Sequence, residues 1–206
     1  MFPLGMVVFP HQVVGLIVFE DRYKKLLEDI RDTHIFGTCL IERGSEVGGN
    51  DTRTMVGTVM EVLDAQDLPD GQTILRVAGV ECFQIDRWLE DNLYPRAAVN
   101  ERCCDTVMID DQLLSSTESA VKALRNLRSE VVPDEPTSVN MALSDNPWVR
   151  SWQLCSMTPM PLLDQFKVLS LSNPNERLSL VLEICCERYG DYQRMLANDS
   201  TNGFSN

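Results

Sequence analysis

The pattern of apolar and polar positions changes character about halfway along the chain. Before about residue 105, apolar runs of strand length alternate with turns, whereas beyond it apolar residues recur at helical spacing. A chain of 206 residues is long enough to bury a core in each half. We therefore expect a β-rich part over residues 1–105, a helical part over 106–196 and a disordered polar tail over 197–206.

The N-terminal half predicts several short strands and one early helix. Two apolar runs, Met6–Phe9 and Val13–Phe19, predict strands on either side of the turn Pro10-His11-Gln12, and an amphipathic helix follows over about 20–31. The later apolar runs that predict strands are Ile35–Ile41, Met55–Leu63, Thr73–Val77, Cys82–Ile85 and Ala97–Val99. Short strands at this spacing are typical of a small closed or nearly closed sheet.

The C-terminal half predicts a set of helices. An apolar stripe from Leu113 to Leu127 predicts the first helix, and the segment 132–136, which holds two prolines, ends it. Later helix starts are predicted where a capping side chain precedes a proline at the first helical position. These pairs are Asn146-Pro147, Thr158-Pro159 (a helix to about Leu169) and Asn173-Pro174.

Charge and hydropathy narrow the range of partners. The net charge is −13, and both halves of the chain are acidic, which disfavours binding to the phosphates of nucleic acids. The sequence has no apolar stretch of membrane-spanning length and no pattern typical of a signal peptide. We expect a cytoplasmic protein that binds neither nucleic acid nor a membrane.

The chain also lacks the patterns of metal, cofactor and catalytic sites. Its seven cysteines include no C-x-x-C pair, and only two histidines accompany them, so no zinc site is expected. Neither the phosphate-binding G-x-x-x-x-G-K-[ST] nor the hydrolase G-x-S-x-G occurs. We predict a non-catalytic protein without a cofactor.

Two groups of side chains are candidates for binding a partner, because tryptophan and methionine are common at binding surfaces. One group lies at a proline-rich junction between predicted helices, and the other at the end of the first predicted strand. They comprise Trp148, Trp152, Met157 and Met160, and Phe9, Pro10 and His11. The alternative interpretation is that these residues pack the core.

The order of several motifs resembles the N-terminal domain family of Lon proteases. The opening carries Pro3-Leu4-Gly5, Val7–Pro10 and Ile17–Tyr23, and later segments match at Leu68–Gly71 and Tyr94–Val99. The chain departs from the family pattern at two positions. His11 stands where a glycine is usual, and Cys82 stands where an arginine is usual.

The resemblance implies an α+β fold, a PUA-like β-barrel with one early helix followed by a helical bundle. It also implies a substrate-recognition module that binds unfolded or exposed polypeptide segments in a groove between barrel and helices, with strand addition at an open sheet edge. Such a module either delivers substrates to a separate protease or works independently. The sequence leaves three alternatives open, namely an RNA-binding PUA-like protein, a small-molecule-binding protein and a hydrolase.

Overall fold

The computed structural model describes residues 1–44, 52–102, 107–132 and 142–202. The chain divides into two compact units, Met1–Cys103 and Cys104–Asn206. The first unit is built on a sheet and the second on helices, so the predicted α+β fold class is confirmed.

The N-terminal unit is a curled antiparallel sheet with one helix. Its elements are β1 (Val13–Val18), α1 (Asp21–Asp29), β2 (Ile35–Arg43), β3 (Thr52–Asp67), β4 (Thr73–Trp88) and β5 (Ala97–Glu101). The strands follow the order β1-β4-β3-β2, and β5 also pairs with β4. The first half of β4 pairs with β1 and its second half with β5, so β1 is an end strand of the sheet.

Three predicted strands differ from the structure. Thr73–Val77 and Cys82–Ile85 belong to one continuous strand, because a register shift opposite Thr58 and Met60 of β3 takes up the extra residue at Val80 and Glu81 without ending β4. The predicted strand Met6–Phe9 is wrong, since this segment forms no strand although most of it is buried. An apolar run indicates a buried segment, and Met6–Phe9 is mostly buried without pairing as a strand.

The N-terminal segment, residues 1–12, instead crosses the sheet. It starts beside β2, where the Phe2 N–H donates to the Gly37 carbonyl at 2.8 Å and the Leu4 N–H donates to the Cys39 carbonyl at 2.9 Å. Over β3, the Thr58 hydroxyl donates to the Val8 carbonyl at 2.6 Å.

The crossing ends at β4. The His11 N–H donates to the Gly79 carbonyl at 2.8 Å, and the Gly79 N–H donates to the Gln12 carbonyl at 2.9 Å. The segment is therefore tied to β2, β3 and β4 in turn. At the start of the segment, Phe2 stacks on Tyr23 of α1 with ring centroids 4.0 Å apart.

The C-terminal unit contains four described helices. They are α2 (Asp111–Val131), α3 (Pro147–Met157), α4 (Leu162–Ser170) and α5 (Pro174–Asn202). Two predicted starts are confirmed, because Asn146 accepts from the Trp148 N–H and Asn173 accepts from the Asn175 N–H, each at 2.9 Å.

The third predicted helix start is wrong. Thr158 follows the last turn of α3, and its hydroxyl donates to the Leu154 carbonyl at 2.7 Å, so it ends one helix instead of opening the next. The next helix, α4, begins only after Pro161. Two prolines at 159 and 161 hold the chain extended in between.

Three predictions extend beyond the described residues. Most of the proline-containing segment that is predicted to end the first C-terminal helix, residues 133–136, lies outside them. The polar residues between Gly44 and Arg53 predict a loop, and residues 45–51 of it are also not described. The predicted tail, 197–206, overlaps the end of α5, and residues 203–206 are not described. None of the described helices combines the length and apolar character needed to cross a bilayer.

Candidate functional site

An exposed apolar stripe runs along β1. Its three members are Val13, Ile17 and Phe19, with 55%, 56% and 49% of their surfaces exposed. The intervening residues Leu16 and Val18 are buried, as expected where side chains alternate between the two faces of a strand. This β1 stripe lies on an end strand, whose outer edge is open to pairing with another chain.

A cavity of about 350 Å³ lies beside the same strand. It is lined by β1, by the N-terminal segment and by the start of α1. The lining residues are Phe2, Leu4, Met6, Gly15, Leu16, Ile17, Val18, Phe19, Glu20 and Tyr23. Because Phe2 and Leu4 run beside β2, at the other end of the strand order, this β1 cavity marks a gap between the two ends of the curled sheet.

The rim of the β1 cavity carries an ion pair next to its aromatic wall. The Arg22 Nε lies 3.1 Å from the Glu20 Oε2, and the Arg22 guanidinium stands 4.5 Å from the Tyr23 ring centroid. Pairing with Arg22 compensates the charge of Glu20, which with Tyr23 makes up the ionisable lining among the described residues. The site therefore suits apolar side chains attached to an extended backbone.

The predicted group Phe9, Pro10 and His11 forms a turn. The Gln12 N–H donates to the Phe9 carbonyl at 3.2 Å, and His11 has a φ of 61°. Proline second and a positive φ third are the pattern of a type II turn, in which glycine is the favoured third residue. Phe9 and Pro10 are buried and His11 is exposed; partial burial lowers the pKa of His11.

The predicted group on the helices is mostly internal. Trp152, Met157 and Met160 are buried, while Trp148 is half-buried and meets the Trp152 ring edge-on at a centroid distance of 6.4 Å. The buried Arg177 guanidinium stacks 3.4 Å from the Trp152 ring centroid. These contacts place the two tryptophans around a buried cation.

Trp148 is the most accessible of that group. It lines a cavity of about 480 Å³ in the C-terminal unit, together with Val107, Met108 and Ile109. As binding residues, all seven of the predicted side chains stay predictions. The sequence does not identify the β1 stripe, because the stripe and the buried Leu16 and Val18 together form one continuous apolar run. Such a run also fits a strand that is buried on both faces.

Two buried thiols of the C-terminal unit, Cys155 and Cys185, are not activated as nucleophiles. Burial raises the pKa of Cys155 to about 12 and the pKa of Cys185 to about 11. Over the part of the chain that the structure describes, no three metal-ligating side chains come together.

Comparisons with known proteins agree with this architecture. The model of the family described as the ATP-dependent protease La (LON) substrate-binding domain matches residues 1–187. The Lon protease of Escherichia coli strain K12 is 30% identical over 185 residues, which cover 86% of this chain and 23% of the protease. A Lon peptidase N-terminal domain and RING finger protein of Schizosaccharomyces pombe is 23% identical, over 87% of this chain and 43% of its own length.

Solved structures show the same fold. A Lon N-terminal domain protein from Xanthomonas campestris superposes with a TM-score of 0.59 at 24% identity, over 88% of this chain and 95% of that one. The N-terminal domain of a Mycobacterium avium complex Lon protease gives a TM-score of 0.60 at 16% identity, over 89% and 96%. The chain spans less than a quarter of the length of the E. coli relative. With the family model covering residues 1–187, the chain belongs to the Lon substrate-binding domain family.

Proposed function

We propose that this protein is a non-catalytic module that binds unfolded or exposed segments of polypeptides at the edge of β1. The observation that carries the proposal is the β1 cavity, whose apolar wall adjoins both an open strand edge and the exposed β1 stripe. An extended chain that pairs with β1 satisfies its own backbone groups while alternate side chains enter the cavity. The family's description as a substrate-binding domain supports this function.

The recognised segments are extended and rich in apolar side chains. The cavity is lined by the buried side chains of Phe2, Leu4 and Leu16, and Ile17 and Phe19 of the exposed stripe also line it. Burial of apolar surface then supplies most of the affinity, and backbone pairing supplies little sequence preference. Such a module serves proteolysis or protein quality control, either by delivering clients to a protease or by holding them independently.

A binding titration with a permanently unfolded protein tests the proposal. Reduced, carboxymethylated lactalbumin labelled with a fluorophore is the probe, and fluorescence anisotropy reports its binding. We expect the double variant Ile17→Ser/Phe19→Ser to bind at least about tenfold more weakly, because it removes most of the apolar stripe.

The matched control is Ile35→Ser/Val99→Ser. These two side chains are 48% exposed on strands of the same unit but lie outside the cavity lining. If the two double variants bind the probe with the same affinity, β1 is not the binding site. Absence of binding to the native protein at millimolar concentration would refute polypeptide recognition altogether.

A further inference from the structure

The outer face of the sheet has a position without a side chain next to the open edge of β1. Gly15 lies in the middle of β1, and its cross-strand partner on β4 is Arg76. Both residues are exposed, whereas Leu75 and Val77 on either side of Arg76 are buried. Because successive side chains of a strand point to opposite faces, Arg76 stands on the outer face directly behind the glycine. We call the space above Gly15 the glycine notch.

The fold does not require a glycine at position 15. Its φ is not positive, β1 pairs with β4 without a bulge, and an added Cβ would meet only the Leu75 carbonyl oxygen, at 3.9 Å. At Gly57, by contrast, a Cβ would overlap the Thr38 carbonyl oxygen. A glycine weakens a strand, and inside a strand it often marks a place where another chain or a ligand approaches closely. Contact with a partner therefore explains Gly15 better than internal packing does.

Apolar pairs lie on both sides of the glycine notch. Across the same two strands, Val13 faces Ala78 and Ile17 faces Ile74. Val13, Ile17 and Ile74 are all exposed. The outer face therefore presents an apolar row, a row with one cation behind a glycine, and a second apolar row.

Arg76 is available to a carboxylate that approaches over the glycine. Asp64 stands opposite Arg76 on the other neighbouring strand, β3, yet the two side chains form no ion pair. The Asp64 Oδ1 instead accepts from the Ala65 N–H at 3.1 Å. On a strand added to β1, the residue opposite Gly15 would have its Cα about 10 Å from that of Arg76, which is two strand spacings. An arginine and a glutamate side chain together span this distance when no side chain lies between them.

We infer that the segments bound at β1 carry an acidic side chain opposite Gly15, with apolar side chains two positions before and two positions after it. This inference rests on the proposed function, since the segment must first pair with the edge of β1. The apolar side chains then pack on Val13 and Ile17, while the carboxylate reaches across the glycine notch to Arg76. An exposed charge pair of this kind fixes the register of the bound segment more than it raises the total affinity.

Fluorescence anisotropy with two short labelled peptides tests the inference. Both peptides have leucine at the positions that enter the β1 cavity and valine at the two flanking outer positions. The central outer residue is glutamate in one peptide and glutamine in the other. We expect the native protein to bind the glutamate peptide about threefold more tightly, the size usual for one exposed ion pair. Arg76→Gln should bind both peptides equally.

Two further variants separate the notch from the charge. In Gly15→Val the guanidinium is kept but a side chain stands in its path, so the preference for glutamate should also disappear. Arg87→Gln is the matched control and should keep the preference, because Arg87 is an exposed arginine in the second half of β4 and pairs with Asp86 at 3.1 Å.

The outcomes distinguish this inference from the proposed function. If the native protein binds the two peptides with the same affinity, or if Arg76→Gln keeps the preference, the acidic specificity is refuted while polypeptide binding at β1 stands. If neither peptide binds to the native protein, both the proposed function and this inference fail.

Discussion

The backbone of Phe9 passes directly over Gly79. A Cβ atom at Gly79 would stand 2.3 Å from the Phe9 carbonyl oxygen and 3.0 Å from its carbon. Since both atoms belong to the main chain, a side chain at this position would displace the N-terminal segment from the sheet. The segment that carries most of the resemblance to the Lon family is therefore held by a close contact with the middle of β4.

The first prediction concerns this contact. Gly79→Ala should lower the free energy of unfolding by about 2 kcal/mol or more, because the added methyl group overlaps main-chain atoms that cannot rotate away. Gly15→Ala is the control, since its Cβ would meet nothing closer than 3.9 Å. Urea denaturation followed by circular dichroism measures both; equal stability of the two variants would contradict the role of the crossing.

The second prediction concerns His11, which has a positive φ where the family pattern has glycine. His11→Gly should stabilise the protein by about 1 kcal/mol relative to His11→Ala, because glycine adopts this conformation without steric cost. Both variants remove the imidazole, so their difference isolates the backbone. Thermal unfolding gives the comparison, and an alanine variant as stable as the glycine variant would argue against the turn described for Phe9–Gln12.

The lowered pKa of His11 makes the stability of the folded protein depend on pH. Because its pKa is lowered in the folded protein, the unfolded chain binds the proton more readily at mildly acidic pH. Native protein should therefore lose more stability than His11→Gly as the pH falls from about 7 toward and below the ordinary histidine pKa of about 6.5. Above that range the difference should be constant. Denaturation midpoints at pH 5 and pH 7.5 measure the effect, and a difference independent of pH would contradict the lowered pKa.

Arg177 provides the fourth prediction. It is almost fully buried, stacks on Trp152 and donates to the Leu171 carbonyl at 3.2 Å. Arg177→Lys should cost about 2 kcal/mol, because a compact ammonium group cannot stack and also reach the same acceptors. Arg194→Lys, at an exposed ion pair, should change stability by less than about 0.5 kcal/mol. Tryptophan fluorescence during urea unfolding compares them, and similar losses would show that the stacking is unimportant.

The fifth prediction uses two adjacent cysteines. At pH 8, iodoacetamide should modify the exposed Cys186 much faster than Cys185, whose pKa of about 11 leaves its thiol protonated. Tandem mass spectrometry of the peptide that holds both residues separates the two rates. Equal rates in the folded protein would contradict the burial of Cys185, and equal rates after denaturation are the expected control.

Much of the fold follows from local patterns in the sequence. A capping side chain followed by proline predicts the helix starts at Pro147 and Pro174, and apolar runs predict β1 and β2. The apolar run Met6–Phe9 predicts a strand, which is wrong. In the structure Val8 is buried where this segment crosses β3, and its carbonyl accepts from the Thr58 hydroxyl. A pairing that spans fifty positions leaves no local signal.

The candidate site was harder to predict than the fold. Phe2, Leu16 and Tyr23 line the same cavity beside β1, and the curl of the sheet brings these distant positions of the sequence together. The predicted group around Trp152 has the composition of a binding surface, yet Arg177 stacks against it inside the helical unit. Composition alone does not separate an aromatic cluster in a core from one on a surface.

The most direct test of polypeptide recognition at β1 is hydrogen–deuterium exchange with and without the unfolded probe, using saturating amounts of unlabelled carboxymethylated lactalbumin. If the chain adds a strand to β1, backbone amides in Val13–Val18 gain hydrogen-bond partners, and their exchange should slow on binding. The exposed strand β5, on the same sheet, should be unaffected. Protection that appears elsewhere while β1 exchanges at its original rate would contradict the central claim.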